Sequence, residues 1–215
     1  MQTRSVFMEQ LNGLRQEIRA MAAKVEEDLG MAITALRNDD TELAQKVVDN
    51  DAALNAMQIK IDDETAVTIA TQHPVARDLR EMVAILRITD NLERIGDYAV
   101  HLAKTAIKFS GKPSLEPAVR LEKMAETGRE MIRDVISAYI GQDAQAARKT
   151  AQKDEIIDKE HKDLTREVLV LMKENSKLVK QAARLLNTSN QLERLGDHIK
   201  NTCESVIYMV EGKRV

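Results

Sequence analysis

The chain has 215 residues, a length that accommodates one large domain or two small ones of about 100 residues each. Aromatic residues make up 2% of it, tryptophan is absent and 31% of its residues are charged, a composition that is typical of long helices and argues against an all-β fold. The 32 basic and 35 acidic residues give a net charge of −3, which argues against a nucleic-acid-binding protein.

Prolines and glycines divide the chain into six predicted helices. The breaking residues are Pro74, Gly111, Pro113, Pro117, Gly141 and Gly212, and apolar residues recur at helical spacing between them. In chain order, the predicted helices span residues 3–37, 40–71, 75–110, 115–140, 143–173 and 176–210. Asp39, followed three positions later by Glu42, resembles a capping box for the second helix, and Ser114 is the expected N-cap of the fourth.

The third and sixth helices carry the same six-residue motif. Residues 92–97 read LERIGD, and residues 192–197, one hundred positions later, read LERLGD. The helices that precede them also align, with Asp51 falling on Asp154. Such repetition indicates one structural unit that occurs twice. We therefore predict an all-α fold of two tandem three-helix bundles, six long antiparallel helices related by pseudo-twofold symmetry.

The predicted bundles divide the chain near its middle. The first bundle is expected in residues 1–111 and the second in residues 112–215. Each motif also contains a glycine inside a helix, Gly96 or Gly196, at a cost of about 1 kcal/mol relative to alanine. A glycine at the same place in both bundles indicates that a neighbouring helix or a ligand comes close there.

Each repeated motif contains a pair of carboxylates four residues apart. The pairs are Glu93 with Asp97 and Glu193 with Asp197. Residues at this spacing share one helix face, with Cβ atoms about 5–6 Å apart, so that the two negative charges repel each other. A cation that bridges both carboxylates would remove this repulsion, and we interpret each pair as half of a metal site.

The second helix of each bundle supplies the other half. In an antiparallel hairpin, two residues that are equally distant from the turn lie at the same level. The midpoint of Asp51 and Asp97, like that of Asn55 and Glu93, falls on the predicted turn at Pro74, and the corresponding midpoints in the second bundle fall at residues 175 and 176. The predicted metal ligands are therefore Asp51, Asn55, Glu93, Asp97, Asp154, Asp158, Glu193 and Asp197. Such oxygen-rich sets suit Mg, Mn or Fe, and zinc also accepts carboxylate ligands.

Two further features bear on location. Cys203 is the single cysteine, which excludes an intrachain disulfide and suits a reducing compartment. The longest apolar run, residues 168–172, is far shorter than the roughly 20 residues of a membrane-spanning helix. We expect a cytoplasmic protein without direct membrane insertion that is able to associate peripherally with membrane complexes.

The duplicated motif resembles the signature of the PhoU family of phosphate-uptake regulators. Residues 73–80, which read HPVARDLR, resemble the turn that opens the third helix of that family, and residues 201–206, which read NTCESV, resemble its last helix. The resemblance covers essentially the whole chain. It implies a cytoplasmic protein, commonly a homodimer, that is built as two three-helix bundles.

The resemblance also implies a function. PhoU-like proteins are negative regulators of phosphate uptake and of the phosphate-starvation response, and they couple the ATPase subunit of a phosphate ABC transporter to a sensor histidine kinase. Some hold iron or zinc on acidic motifs that match Glu93/Asp97, Glu193/Asp197 and Asp154/Asp158 in this sequence. Asn55 departs from this pattern, because a neutral amide is a weaker cation ligand than the aspartate at the equivalent position of the second bundle.

Two other classes of function remain open from the sequence. One is a structural helical adaptor whose acidic residues only confer solubility, in which case partner binding would not depend on metal. The other, less favoured, is a metal-dependent enzyme. The sequence contains no His-Glu-x-x-His, P-loop or Gly-x-Ser-x-Gly motif, so we predict a protein that is not an enzyme and that has no catalytic or cofactor-binding residues.

Overall fold

The computed structural model describes residues 2–113 and 115–213, which form helices joined by short turns. The first bundle contains α1 (Gln2–Asn38), α2 (Thr41–Gln72) and α3 (Arg77–Phe109). The second contains α4 (Ala118–Gly141), α5 (Ala144–Gln152), α6 (Asp154–Glu174) and α7 (Val179–Glu211), with a 3-10 turn at Ser176–Leu178 before α7. The predicted all-α fold of two tandem three-helix bundles is confirmed. The position of the domain boundary between residues 111 and 112 stays a prediction.

The fifth predicted helix, residues 143–173, is not continuous. The backbone N–H groups of Lys153 and Ile156 each donate to a carbonyl three residues earlier, at 3.0 Å, instead of four residues earlier. This local 3-10 geometry ends α5 and starts α6. Asp154 consequently lies in the first turn of α6.

The turn between α1 and α2 corrects the predicted capping box by one position. Asp40, not Asp39, is the N-cap of α2, and its carboxylate accepts a hydrogen bond from the backbone N–H of Leu43 at 2.9 Å. Asp39 instead has a φ of 56° and accepts from the backbone N–H of Gly111 at 3.0 Å, which ties this turn to the end of α3. The predicted N-cap Ser114 lies outside the described residues.

The two bundles meet through α3 and α7, which run antiparallel, and also through α1 and α4. The hydroxyls of Thr105 and Thr188 are 2.9 Å apart, and the Asn91 Oδ1 is 2.8 Å from the His198 Nδ1, so residue numbers rise along one helix as they fall along the other. The apolar residues of both bundles form one continuous core. Among the described helices, none combines the length and the hydrophobicity that crossing a membrane requires.

Gly96 lies where α3 meets α2. A β-carbon at this position would overlap the side chain of Leu54, which is 2% exposed. We expect Gly96→Ala to lower the free energy of unfolding by about 1–3 kcal/mol, because Leu54 has to leave its rotamer within a packed core. Urea denaturation followed by circular dichroism measures this change.

Gly13 provides the matched control for this substitution. It also lies inside a long helix, but it is exposed, and a β-carbon there would have no neighbour within 4 Å. Gly13→Ala should therefore raise the free energy of unfolding by about 0.5–1 kcal/mol through helix propensity alone. A gain of the same size from Gly96→Ala would contradict the packing role assigned to Leu54.

Candidate metal centre

The eight predicted ligands lie on the second and third helices of their bundles, and their burial differs. Asp154 is buried and Asp197 is exposed, whereas the other six are half-buried: Asp51, Asn55, Glu93, Asp97, Asp158 and Glu193. We call the four in residues 51–97 the first acidic group and the four in residues 154–197 the second acidic group.

Asp154 is the inner member of the second acidic group. It is 6% exposed, and its carboxylate packs against α7 so closely that a β-carbon on Gly196 would overlap its Oδ1 atom. The glycine of the repeated motif therefore gives a carboxylate room to approach the helix backbone between Glu193 and Asp197. No hydrogen-bond donor for this Oδ1 exists among the residues that the structure describes.

The electrostatics of Asp154 show that the second acidic group is a single cluster. Burial, together with the negative charges of Asp158, Asp197 and Glu193, raises the pKa of the Asp154 carboxyl to about 6, against the opposing effect of the Lys200 ammonium. The other three predicted carboxylates are thus all within electrostatic reach of Asp154. Bringing α6 and α7 together therefore costs free energy, which a bound cation would offset.

The first acidic group is arranged differently. Burial raises the pKa of Glu93, the charges of Asp97, Asp90 and Asp51 raise it further, and Arg94 opposes them. The Arg94 guanidinium lies 3.6 Å from the Glu93 carboxylate and 3.5 Å from that of Asp97. The amide oxygen of Asn55, the fourth member, is buried and has no hydrogen-bond partner within the described ranges.

The two motif glycines accommodate different side chains. Leu54 packs over Gly96 in the first bundle, whereas Asp154 and the methyl groups of Ile157 pack over Gly196 in the second. Leu54 and Ile157 occupy equivalent positions of the repeat, so the carboxylate contact is what distinguishes the second bundle. The motif glycines predicted that a neighbouring group comes close to the helix. In the first bundle that group is an aliphatic side chain of the neighbouring helix, and in the second it also includes the predicted metal-ligating residue Asp154.

As they stand, the acidic side chains do not form a finished coordination shell. Within residues 2–113 and 115–213, no three His, Cys, Asp or Glu side chains are arranged to hold a metal ion. The chemistry of the donors nevertheless fits a hard or borderline cation, because each group combines carboxylates with one buried oxygen that lacks a partner, on Asn55 or Asp154. Side-chain rotations at the exposed and half-buried members would be needed to complete the shell.

Two charged residues of these clusters escaped the spacing argument. Asp90 lies three residues before Glu93, and the Lys200 ammonium lies 3.8 Å from the Asp154 Oδ2. Their sequence signal was a charge three residues from a predicted metal ligand, and such charges are common on exposed helices. Arg94, by contrast, was already a candidate partner of its neighbouring acids in the sequence, and it does bridge the first carboxylate pair.

Comparison with known proteins gives matches along nearly the whole chain. The family model described as the PhoU domain matches twice, over residues 18–106 and 121–206. The phosphate-specific transport system accessory protein PhoU of Edwardsiella tarda is 33% identical over 98% of this chain and 87% of that protein. The protein of the same name from Escherichia coli (strain K12) is 31% identical, over 96% of this chain and 86% of its own.

Two crystal structures share the fold. PhoU from Pseudomonas aeruginosa matches with a TM-score of 0.92 and 33% identity, covering 96% of this chain and 100% of that one. The phosphate transport system regulatory protein PhoU from Streptococcus pneumoniae matches with a TM-score of 0.91 and 30% identity, covering 97% and 99% of the two chains. Fold and sequence therefore point to the same family.

Proposed function

Because the chain belongs to the PhoU family, we propose that it is a negative regulator of phosphate uptake and of the phosphate-starvation response. The observation that carries this proposal is the length of the similarity, which extends over 98% of this chain to a relative named as a phosphate transport accessory protein. The relatives are named as accessory or regulatory proteins, and we propose that this chain likewise acts by binding rather than by catalysis.

The proposed partners are the ATPase subunit of a phosphate ABC transporter and a sensor histidine kinase. In this proposal the chain works in the cytoplasm as a homodimer, peripheral to the membrane complex, and couples the state of the transporter to the kinase. Two three-helix bundles that share one core and meet through the antiparallel helices α3 and α7 give two related surfaces on one molecule, an arrangement that suits a protein linking two partners.

Metal binding by the two acidic groups is the second part of the proposal. Iron or zinc is the favoured ion, with Mn and Mg as alternatives, and its ligands would be the eight residues of the two groups. The strongest support is Asp154, a buried carboxylate with an unpartnered oxygen inside a cluster of four acids. A bound cation would supply positive charge that holds the second and third helices of a bundle together.

We expect the double substitution Glu193→Gln/Asp197→Asn to reduce the metal content of the purified protein, because it removes two of the four carboxylates of the second acidic group. Elemental analysis of protein loaded with iron or zinc and then desalted measures the change. Binding to the purified transporter ATPase subunit should weaken in the same variant and also in the wild type treated with a chelator.

A double variant with the same change in charge serves as the control. Glu9 and Glu27 are exposed glutamates on α1, so Glu9→Gln/Glu27→Gln should leave both metal content and ATPase binding unchanged. Equal metal content in the two double variants would contradict the assigned site. If neither chelator nor the substitutions change binding to the ATPase subunit, the structural adaptor is favoured. If the protein binds neither the ATPase subunit nor the kinase, the proposed regulatory function is refuted.

A further inference from the structure

The second acidic group contains a basic side chain that has no counterpart in the first. Lys200 lies on α7, three residues after Asp197, and its ammonium is 3.8 Å from the Asp154 Oδ2. The equivalent position in the first bundle is Val100, which is 8% exposed. We propose that Lys200 is the built-in counter-ion of Asp154 in the metal-free protein and competes with the cation for that carboxylate. This inference rests on the cation binding proposed above.

The position of Asp154 explains why a counter-ion is needed. A carboxylate that is 6% exposed has lost most of its hydration, and a nearby positive charge is the usual compensation. Its Oδ1 atom faces the backbone at Gly196 and accepts no hydrogen bond from the described part of the chain. The compensating positive charge is therefore the Lys200 ammonium, which lies near the Oδ2 atom. Without that charge, the buried carboxylate would be left among three other acids.

The same contact opposes metal binding. A divalent cation at Asp154 would lie within a few ångströms of the ammonium, and like charges at such distances in a partly buried site repel strongly. The Lys200 side chain is 49% exposed and its stem is flexible, so the ammonium is able to move into water as the cation enters. Ion binding and release at the second acidic group would thus be an exchange of one positive charge for another.

This exchange affects how the two acidic groups compare. The first has a neutral amide at Asn55, which weakens it, and a cation of its own in Arg94, but no lysine at the position of Val100 beside its inner residues. The second has four carboxylates, which strengthens it, and the competing Lys200. The lysine therefore makes the affinity of the second group lower than its four carboxylates alone would give, and it raises the ion concentration at which that group fills.

The test is Lys200→Met, which keeps an unbranched flexible side chain and removes the charge, in a background with Glu93→Gln and Asp97→Asn so that only the second acidic group binds. Isothermal titration calorimetry measures the dissociation constant for Mn²⁺, and the titration is repeated with Zn²⁺. We expect the dissociation constant to fall by about threefold or more, because the competing charge is gone. The melting temperature in the presence of chelator should fall, because Asp154 loses its counter-ion.

Lys180→Met is the matched control, since Lys180 is an exposed lysine near the start of the same helix. Lys180→Met should change neither the dissociation constant for the cation nor the melting temperature in the presence of chelator. Competition by Lys200 predicts that its replacement tightens cation binding but lowers the stability of the metal-free protein. If Lys200 had a purely structural role, its replacement would weaken both binding and stability. An unchanged or weaker affinity in Lys200→Met, with normal binding by the background protein, would overturn the competition alone. Absence of Mn²⁺ and Zn²⁺ binding in both proteins would overturn the proposed metal site and this inference with it.

Discussion

Replacing Asp154 with asparagine is expected to stabilise the metal-free protein at neutral pH by about 1–3 kcal/mol. Burial and the charge of Asp158 raise the pKa of this carboxyl to about 6 from its ordinary 3.8, so the folded protein disfavours the charged form. An amide of the same shape carries no charge and avoids this cost. The same substitution should weaken cation binding at the second acidic group by about tenfold or more, because it removes the inner carboxylate.

The pH dependence of this gain follows from the direction of the shift. A carboxyl whose pKa is higher in the folded than in the unfolded state binds protons more readily when folded, so its contribution to stability falls as pH rises. The cost is absent below about pH 4, grows between the two pKa values and is constant above about pH 7. Asp154→Asn and the wild type should therefore be equally stable in acid and differ most at pH 7.5.

Urea unfolding in the presence of chelator, repeated from pH 4 to pH 7.5, measures this difference. Asp158→Asn is the control, because Asp158 belongs to the same cluster but its side chain is 43% exposed and pairs with Lys162 at 3.7 Å. It should weaken cation binding with little change in the stability of the metal-free protein. A wild type that is as stable as Asp154→Asn at pH 7.5 would show that the Asp154 carboxylate is not destabilising.

Much of the fold was predictable because the relevant signals are local. Prolines, glycines and the repeated motif marked the helix ends and the duplication, and neither depends on tertiary contacts. The break at Lys153 was not predictable for the opposite reason. Residues 150–156 contain no glycine or proline, and a change from four-residue to three-residue hydrogen bonds has no signature in side-chain type.

The sequence could predict which residues of the candidate site lie opposite each other along the hairpin, but not how deeply each side chain is buried. Antiparallel hairpins fix which residues lie opposite each other, so counting from the turn could pair Asp154 with Asp197. Whether a carboxylate or an aliphatic side chain packs over the motif glycine depends on the packing of the two helices, and this differs between Leu54 and Asp154. The contact between Lys200 and Asp154 was missed because lysines near acids are frequent on any solvated helix.

The largest loss of stability is expected from an ion pair outside the acidic groups in which the carboxylate is buried and the guanidinium is half-buried. Arg15 of α1 donates two hydrogen bonds to Glu81 of α3, Nε to Oε1 at 2.7 Å and Nη2 to Oε2 at 2.9 Å. Glu81 is 3% exposed, and Tyr139 of α4, which is 1% exposed, lies beside the pair. Burial and the charge of Glu81 raise the pKa of Tyr139, so its hydroxyl stays protonated. The pair thus joins two helices of the first bundle at the point where the second bundle packs against them.

We expect Arg15→Met to lower the free energy of unfolding by about 3–5 kcal/mol, because it leaves the Glu81 carboxylate buried without a partner. Adding Glu81→Gln should recover most of this loss, since the amide carries no charge to desolvate. Urea unfolding of the two single variants and the double variant gives a thermodynamic cycle, in which we expect a coupling energy of about 1.5 kcal/mol or more. If the losses in free energy of unfolding of the two single variants simply add in the double variant, the charge of Glu81 is stabilised by groups other than Arg15. A large coupling energy would show that the junction of the two bundles depends on a charge pair that neither acidic group supplies.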